Sequence, residues 1–174
     1  MLSSFFRIFN FCTRSSGPGS DERVPNCIFC DVTKEKGFDI VWKNDSYIVF
    51  RDYNPAAEHH FLVIPARHVE SVKTLDKGDI AFVKEMADIG HRMLDELQVS
   101  QTSRRLGFHI PPFNSVQHLH LHVQALPYKS VFRSIKYPIA RGSGTCLKGF
   151  SWFAEVEQTI GILEAGRHVG VLPC

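Results

Sequence analysis

The sequence predicts an α+β fold, an antiparallel sheet of about five strands with one long helix. Three observations predict it. Five short runs bounded by turn or breaker residues read as strands. One long stretch carries the three-to-four spacing of a buried helical stripe. No regular strand–helix–strand alternation connects them, as a parallel sheet would require.

The elements follow in order. Met1 to Ser20 holds Arg7, Arg14, several serines, Phe5, Phe6, Phe9 and Phe11, and no acid. That composition is compatible with an organelle transit peptide, mitochondrial by its arginines and missing acids. A disordered tail ending in Ser15-Ser16-Gly17-Pro18-Gly19-Ser20 is the reading favoured over it. We therefore expect a tail over 1–22 and a single domain over 23–174, with a C-terminal extension from about 129. Cys27 to Lys36 predicts a short helix ended by Gly37. Ile40–Lys43 and Tyr47–Arg51 read as strands around an Asn44-Asp45 turn, and Phe61–Ile64 as a buried strand closed by Pro65. Asp76–Leu97 is the long helix, with Asp76 as N-cap and Ile80, Val83, Ala87, Gly90, Leu94 and Leu97 on one stripe. Arg105–Ile110 and His118–Gln124 are further strands, separated by Pro111-Pro112-Phe113, and Glu155–Leu163 reads as a second helix.

Bulk properties narrow the function classes. A chain of 174 residues accommodates one domain with a real core. A net charge of +2 supplies no argument for nucleic acid as a partner. No apolar run reaches the roughly 18 residues of a membrane span. Five cysteines, an odd number, favour reduced thiols or metal ligation over a disulfide framework. The expected location is cytoplasmic, extending to the nucleus.

The chemistry concentrates at His118-Leu119-His120-Leu121-His122-Val123. As a strand this places the three imidazoles on one face, successive ones about 6 to 7 Å apart, with Leu119, Leu121 and Val123 in the core. Imidazoles so spaced can surround one phosphate, and each can donate, accept or attack. A purely structural role is disfavoured because exposed imidazoles contribute little packing. A zinc site is the serious rival, since alternating histidines also suit that metal. For covalent chemistry the middle ring is the natural nucleophile, held in one tautomer and flanked by partners on both sides.

Those residues resemble the histidine triad superfamily, whose signature is His-φ-His-φ-His-φ-φ. Gln124 stands where the signature usually has an apolar residue. The resemblance extends upstream through Phe50-Arg51-Asp52, Pro55 and His60-Phe61-Leu62-Val63-Ile64-Pro65-Ala66-Arg67-His68. Gly107-Phe108-His109-Ile110-Pro111-Pro112-Phe113 and Ser151-Trp152-Phe153 are most similar to the type 3 histidine triad nucleotide-binding proteins.

The resemblance implies an adenosine 5'-monophosphoramidase that works as a homodimer joined through its sheets and needs no cofactor for catalysis. It implies His120 as nucleophile on the α-phosphorus, with His122 and His118 on the phosphate and Ser115 near the leaving group. Asp52 would bind the ribose hydroxyls of a purine nucleotide, and Ile28, Phe29, Phe50 and Tyr53 would line the base pocket. His60 counts beside the nucleotide. Well-studied members have a glycine-rich segment and a glutamine before the serine; here Pro111-Pro112-Phe113-Asn114 stands there, and Asn114 keeps an amide on a shorter arm. Some members complete a CxxC with two histidines, which implies Cys27, Cys30, His60 and His118 as a structural zinc set. Two metal-free thiols are the other reading. His68 is expected to anchor the loop after Pro65, and His91 to be a bystander on the long helix.

Two rivals stand beside this reading, with dinucleoside polyphosphate hydrolysis, the same chemistry with a different leaving group, as a third. Cys146-Leu147-Lys148 and the Trp152 region also resemble aprataxin, which would imply removal of adenylate from nucleic-acid 5' ends. The low net charge speaks against that partner. A nucleotide-binding regulatory protein with incidental hydrolysis is the other.

Overall fold

The computed structural model describes residues 23–174. The expected tail over 1–22, with its transit-peptide alternative, lies outside the described residues. Six strands form one antiparallel sheet: β1 (Ile40–Lys43), β2 (Tyr47–Arg51), β3 (His60–Pro65), β4 (Arg104–His109), β5 (Leu121–Ala125) and β6 (Phe153–Glu155). Their order across the sheet is β1-β2-β3-β5-β4-β6. The helices are α1 (Ile80–Glu96), a single turn α2 (Val131–Ser134) and α3 (Val156–Glu164). Among the described residues no helix is long and apolar enough to cross a membrane.

Alternation sorts the strands onto two faces. Val49, Phe61, Val63, Leu106, Phe108, Leu121, Val123 and Ala154 join the main core beneath α1 and α3. Ile48, Phe50, Leu62 and Ile64 belong to a smaller cluster on the opposite side, with Phe29 and Val32. His60, His122, Gln124, Gly107 and His109 share the parity of that second face. The sheet thus puts aliphatic side chains under the helices and reserves the other face for polar chemistry.

Two glycines set close approaches. A Cβ on Gly90 of α1 would sit 2.7 Å from Val123 Cγ2 and 3.0 Å from Leu106 Cδ2, so glycine lets α1 settle onto β5 and β4. A Cβ on Gly107 would lie 2.5 Å from the Phe153 ring and 2.4 Å from the Ala154 carbonyl oxygen. Gly107 stands opposite His122 in the ladder, and Leu62 stands opposite it on the other side.

Several expectations are corrected. The sheet has six strands where about five are predicted; β6 is three residues long and carries no alternation to read. α1 begins at Ile80, because Asp76 caps a separate 3-10 turn, Lys77–Asp79, through a reciprocal capping box with Asp79. Only Ile28–Asp31 forms a 3-10 turn where a short helix over Cys27–Lys36 is expected, while Gly37 does occupy the left-handed region at φ 85°. The last correction bears on function. β5 starts at Leu121 rather than His118, since its pairing with β3 ends at Leu121 opposite Val63. Upstream, Leu119 N–H donates instead to the Val69 carbonyl at 2.6 Å.

Candidate active site

Because the chain leaves the sheet before Leu121, the three histidines diverge. His122 projects from β5. His120 and His118 sit on a bent approach, where His120 Nδ1–H donates to the His118 carbonyl at 2.7 Å. That bond leaves His120 Nε2 as a lone pair. His120 borders a cavity of about 690 Å³. Ile28, Phe29, Phe38, Phe50, Leu62 and Val116 supply apolar walls, and Asp52, Ser115, His120 and His122 supply the polar ones. Burial pushes the His120 imidazolium down to about 4 and His122 well below its ordinary value, so both rings are neutral near pH 7.

The expected site residues fall into four places. Ile28, Phe29, Phe50, Asp52, Tyr53, Ser115, His120 and His122 line this one cavity. Tyr53, expected among the base-pocket walls, is 100% exposed and stands at the rim. Phe38, Leu62 and Val116 are walls that sequence reading missed; Leu62 could have been found from its parity with His60 on β3. Asn114 is not among the walls, and its amide donates to the Val116 carbonyl at 3.0 Å, shaping its own loop. Asp52 is half-buried, accepting from Asn54 N–H at 2.7 Å, with its second oxygen 3.4 Å from His60 Nε2.

His118 leaves the cavity. Its Nε2–H donates to the Pro65 carbonyl at 3.0 Å, which turns the Nδ1 lone pair toward Cys27 Sγ and Cys30 Sγ at 3.5 and 3.6 Å. His68 Nδ1 lies 3.3 Å from Cys30 Sγ. Cys27, Cys30, His68 and His118 offer four ligand atoms within 4.8 Å of one another. Two thiols and two imidazole nitrogens so gathered fit a tetrahedral zinc set. Burial raises the Cys30 thiol, with Cys27 adding to the rise, which is the environment a divalent cation would reverse.

The ligand set expected from sequence named His60 in place of His68, and that is corrected. His60 and Pro65 are the two ends of β3, about 16 Å of strand apart at the usual rise per residue. The cysteine cluster gathers at the Pro65 end. His60 instead lies against His122, Nε2 to Nδ1 at 2.9 Å. Asp52, His60 and His122 also meet as a potential ligand group. Ala56 N–H, however, donates to His60 Nδ1 at 3.1 Å, so the remaining proton occupies Nε2 and that nitrogen has no lone pair for a metal.

His109 is the functional-face residue that strand reading passed over. Its Nδ1 lies 2.9 Å from His122 Nε2, and its Nε2 lies 2.8 Å from the Lys136 carbonyl. Its signal was two-residue spacing from Gly107 on the same face. Gln124, the departure from the signature, is fully buried, its carboxamide set between His60 Nε2 at 3.3 Å and Tyr128 Oη at 3.1 Å. An apolar residue there would leave those groups facing hydrocarbon.

A buried neutral histidine bordering a cavity with apolar walls and a carboxylate, a second buried histidine two residues on, and an antiparallel sheet packed under one long helix are the features of a histidine triad protein. Comparison with known proteins agrees. Residues 26–137 match the family described as scavenger mRNA decapping enzyme C-term binding. The chain is 34% identical over 160 residues to adenosine 5'-monophosphoramidase HINT3 of Danio rerio, covering 90% of this chain and 94% of that protein. It is 34% identical over 140 residues to aprataxin of Danio rerio, which covers 75% of this chain and only 38% of aprataxin. A histidine triad protein from Clostridium difficile superposes with a TM-score of 0.54 at 27% identity, over 62% of this chain and 99% of that one. The chain belongs to the histidine triad superfamily.

Proposed function

We propose that this protein hydrolyses the P–N bond of adenosine 5'-phosphoramidates and releases AMP. One observation carries the reading: His120 Nδ1–H is pinned on the His118 carbonyl, which leaves the lone pair on Nε2, and His120 borders a cavity with apolar walls and a carboxylate. Near-full-length similarity to a protein named for this activity supports the same reaction.

In the first step His120 Nε2 attacks the α-phosphorus, a P–N(His) bond forms and the P–N bond to the leaving amine breaks. In the second, water attacks the nucleotidyl-His120 and AMP departs. The amine takes a proton from the site as it leaves in the first step, and the water of the second step returns that proton to the site while its hydroxyl ends on phosphorus. Phe29, Phe50 and Ile28 would hold the base, and Asp52 the ribose hydroxyls through its acceptor oxygens. Ser115 borders the phosphate region.

A zinc ion on Cys27, Cys30, His68 and His118 would serve structurally, cross-linking the first turn to the loop after β3 and to the histidine approach. Metal analysis of protein purified with its thiols protected tests this, one zinc per chain being expected. We also propose a homodimer, as the resemblance to the family implies, testable by sedimentation at several concentrations.

The decisive experiment is to trap the nucleotidyl-enzyme from adenosine 5'-phosphoramidate and map the modified residue. His120 is expected; a label on His118 or His122 overturns the assignment. Similarity to aprataxin motivates one control, an adenylated oligonucleotide. Turnover of that substrate matching the phosphoramidate would favour nucleic-acid deadenylation instead.

A further inference from the structure

A second cavity, about 510 Å³, lies on the far side of His122. Asp52, Tyr53, Ser115 and His122 border both cavities, whereas His120 borders only the first. His109, Lys136 and Trp152 belong to the second alone. Displacement at phosphorus places the incoming and departing atoms roughly in line. A nucleotide held in the first cavity and attacked by His120 would therefore send its leaving group into the second. The hydrogen bonds around His122 decide which of its two nitrogens carries a proton there.

Two backbone groups fix that proton from the two ends of a chain of rings. At one end the donor is a backbone amide: Ala56 N–H points at His60 Nδ1, which must accept. A neutral His60 then carries its proton on Nε2, 2.9 Å from His122 Nδ1, which accepts in turn. Asp52 Oδ2, at 3.4 Å, is the weaker acceptor for the same proton. At the other end the acceptor is a backbone carbonyl: Lys136 C=O requires His109 to carry its proton on Nε2. A neutral His109 then has only a lone pair on Nδ1, 2.9 Å from His122 Nε2. Both ends demand the same tautomer of His122, with Nδ1 bare and Nε2 protonated. Burial lowers all three imidazoles, His60 to about 4, which keeps each ring neutral as the chain requires.

We infer that His109 is a positioning residue which, with His60 and two backbone groups, locks His122 as its Nε2–H tautomer and aims that proton at the leaving-group atom of the substrate. The inference rests on the phosphoramidase reading for its substrate, and on geometry alone for the tautomer. With the nitrogen of the leaving amine in the second cavity, His122 Nε2–H exchanges its bond to His109 Nδ1 for one to that nitrogen. The hydrogen bond strengthens as charge develops on the departing atom, so it contributes most where the leaving group is poor.

The test compares His109→Ala with His109→Asn, whose Oδ1 reproduces an acceptor near the position of Nδ1. Two substrates are used, an alkylamine adenosine 5'-phosphoramidate and adenosine 5'-phosphorofluoridate, whose fluoride departs without help. His109→Ala is expected to lose about tenfold or more in kcat/KM on the alkylamine substrate, toward the low end of what a positioned proton supplies. Its loss on the fluoridate should be within about twofold on the same argument. His109→Asn should recover most of the alkylamine rate. In parallel, 15N NMR of histidine-labelled protein should report His122 as Nε2–H in the unaltered chain and as a tautomer mixture in His109→Ala. Equal losses on both substrates, or a His122 Nδ1–H tautomer in the unaltered chain, would overturn the inference. Absence of P–N hydrolysis by the unaltered protein would sink the phosphoramidase reading separately, and the NMR experiment would still decide the tautomer.

Discussion

At the scale of single residues, His120 and Leu62 separate chemistry from binding. Removing the His120 imidazole deletes the attacking lone pair but leaves the walls of the cavity in place. His120→Ala should therefore keep nucleotide affinity within about threefold while turnover falls by at least about a thousandfold, as loss of a covalent nucleophile does. AMP binding by calorimetry and hydrolysis of the phosphoramidate together check this; retained turnover would remove His120 from the mechanism. Leu62→Ala should do the reverse. The leucine packs with Phe50 and Phe29 and borders the base region without touching the triad's hydrogen bonds. Its truncation should weaken AMP binding by about 1 to 2 kcal/mol, the transfer value of a truncated aliphatic wall, with kcat nearly unchanged.

At the scale of elements, the sequence was informative where a period ran long enough to be read. β2 and β1 match their expected ends, because alternation bounded by the Asn44 turn leaves one choice of register; Asn44 Oδ1 accepts from Ser46 and Tyr47 N–H at 2.9 and 2.7 Å. α1 was legible from Val83, Ala87, Gly90 and Leu94, all buried. β6 was not, since three residues hold no period and its place is fixed by Gly107 opposite it. The alternating histidines misled for a related reason. Their pattern is that of a strand, but His118 and His120 lie where the ladder has already ended, and a tertiary hydrogen bond from Leu119 to Val69 decides the bend. The exchange of His68 for His60 in the cysteine cluster follows from the same bend, which carries His118 to the Pro65 end of β3. Element packing yields its own prediction at Gly90. An added Cβ would meet Val123 and Leu106 at 2.7 and 3.0 Å, so Gly90→Ala must push α1 off the sheet. Overpacking of about 1 to 3 kcal/mol exceeds the gain of about 1 kcal/mol in helix propensity. A net loss in the midpoint of urea unfolding is expected; a gain would mean that α1 rides higher than this packing.

At the scale of the whole molecule, the sheet buries His60, His122 and Gln124 of its polar face as completely as its apolar face, and this sets how stability responds to pH. His60 is buried, neutral and hydrogen-bonded at both nitrogens, and its folded-state pKa is about 4 against an ordinary 6.5. Desolvation is the main cause, with Asp52 opposing it. Between those two values the unfolded chain binds a proton at this position and the folded chain does not. Unfolding therefore takes up protons in that window, and stability rises with pH through it, levelling off above about 6.5. Falling pH removes up to roughly 3 kcal/mol for His60, at 1.36 kcal/mol per pKa unit, and His109 and His122 act in the same direction. Loss of ligands from the cysteine cluster would fall in a similar range, so the attribution needs a variant. His60→Gln removes one titrating group from the polar face while leaving Cys27, Cys30, His68 and His118 untouched. Urea unfolding at pH 7.5, 6.0 and 5.0 should give a steep fall in stability for the unaltered chain. The fall should be shallower for His60→Gln, whatever its stability at pH 7.5. Parallel slopes in the two proteins would show that His60 is protonated in the folded state, and the neutral chain through His122 to His109 would have to be redrawn.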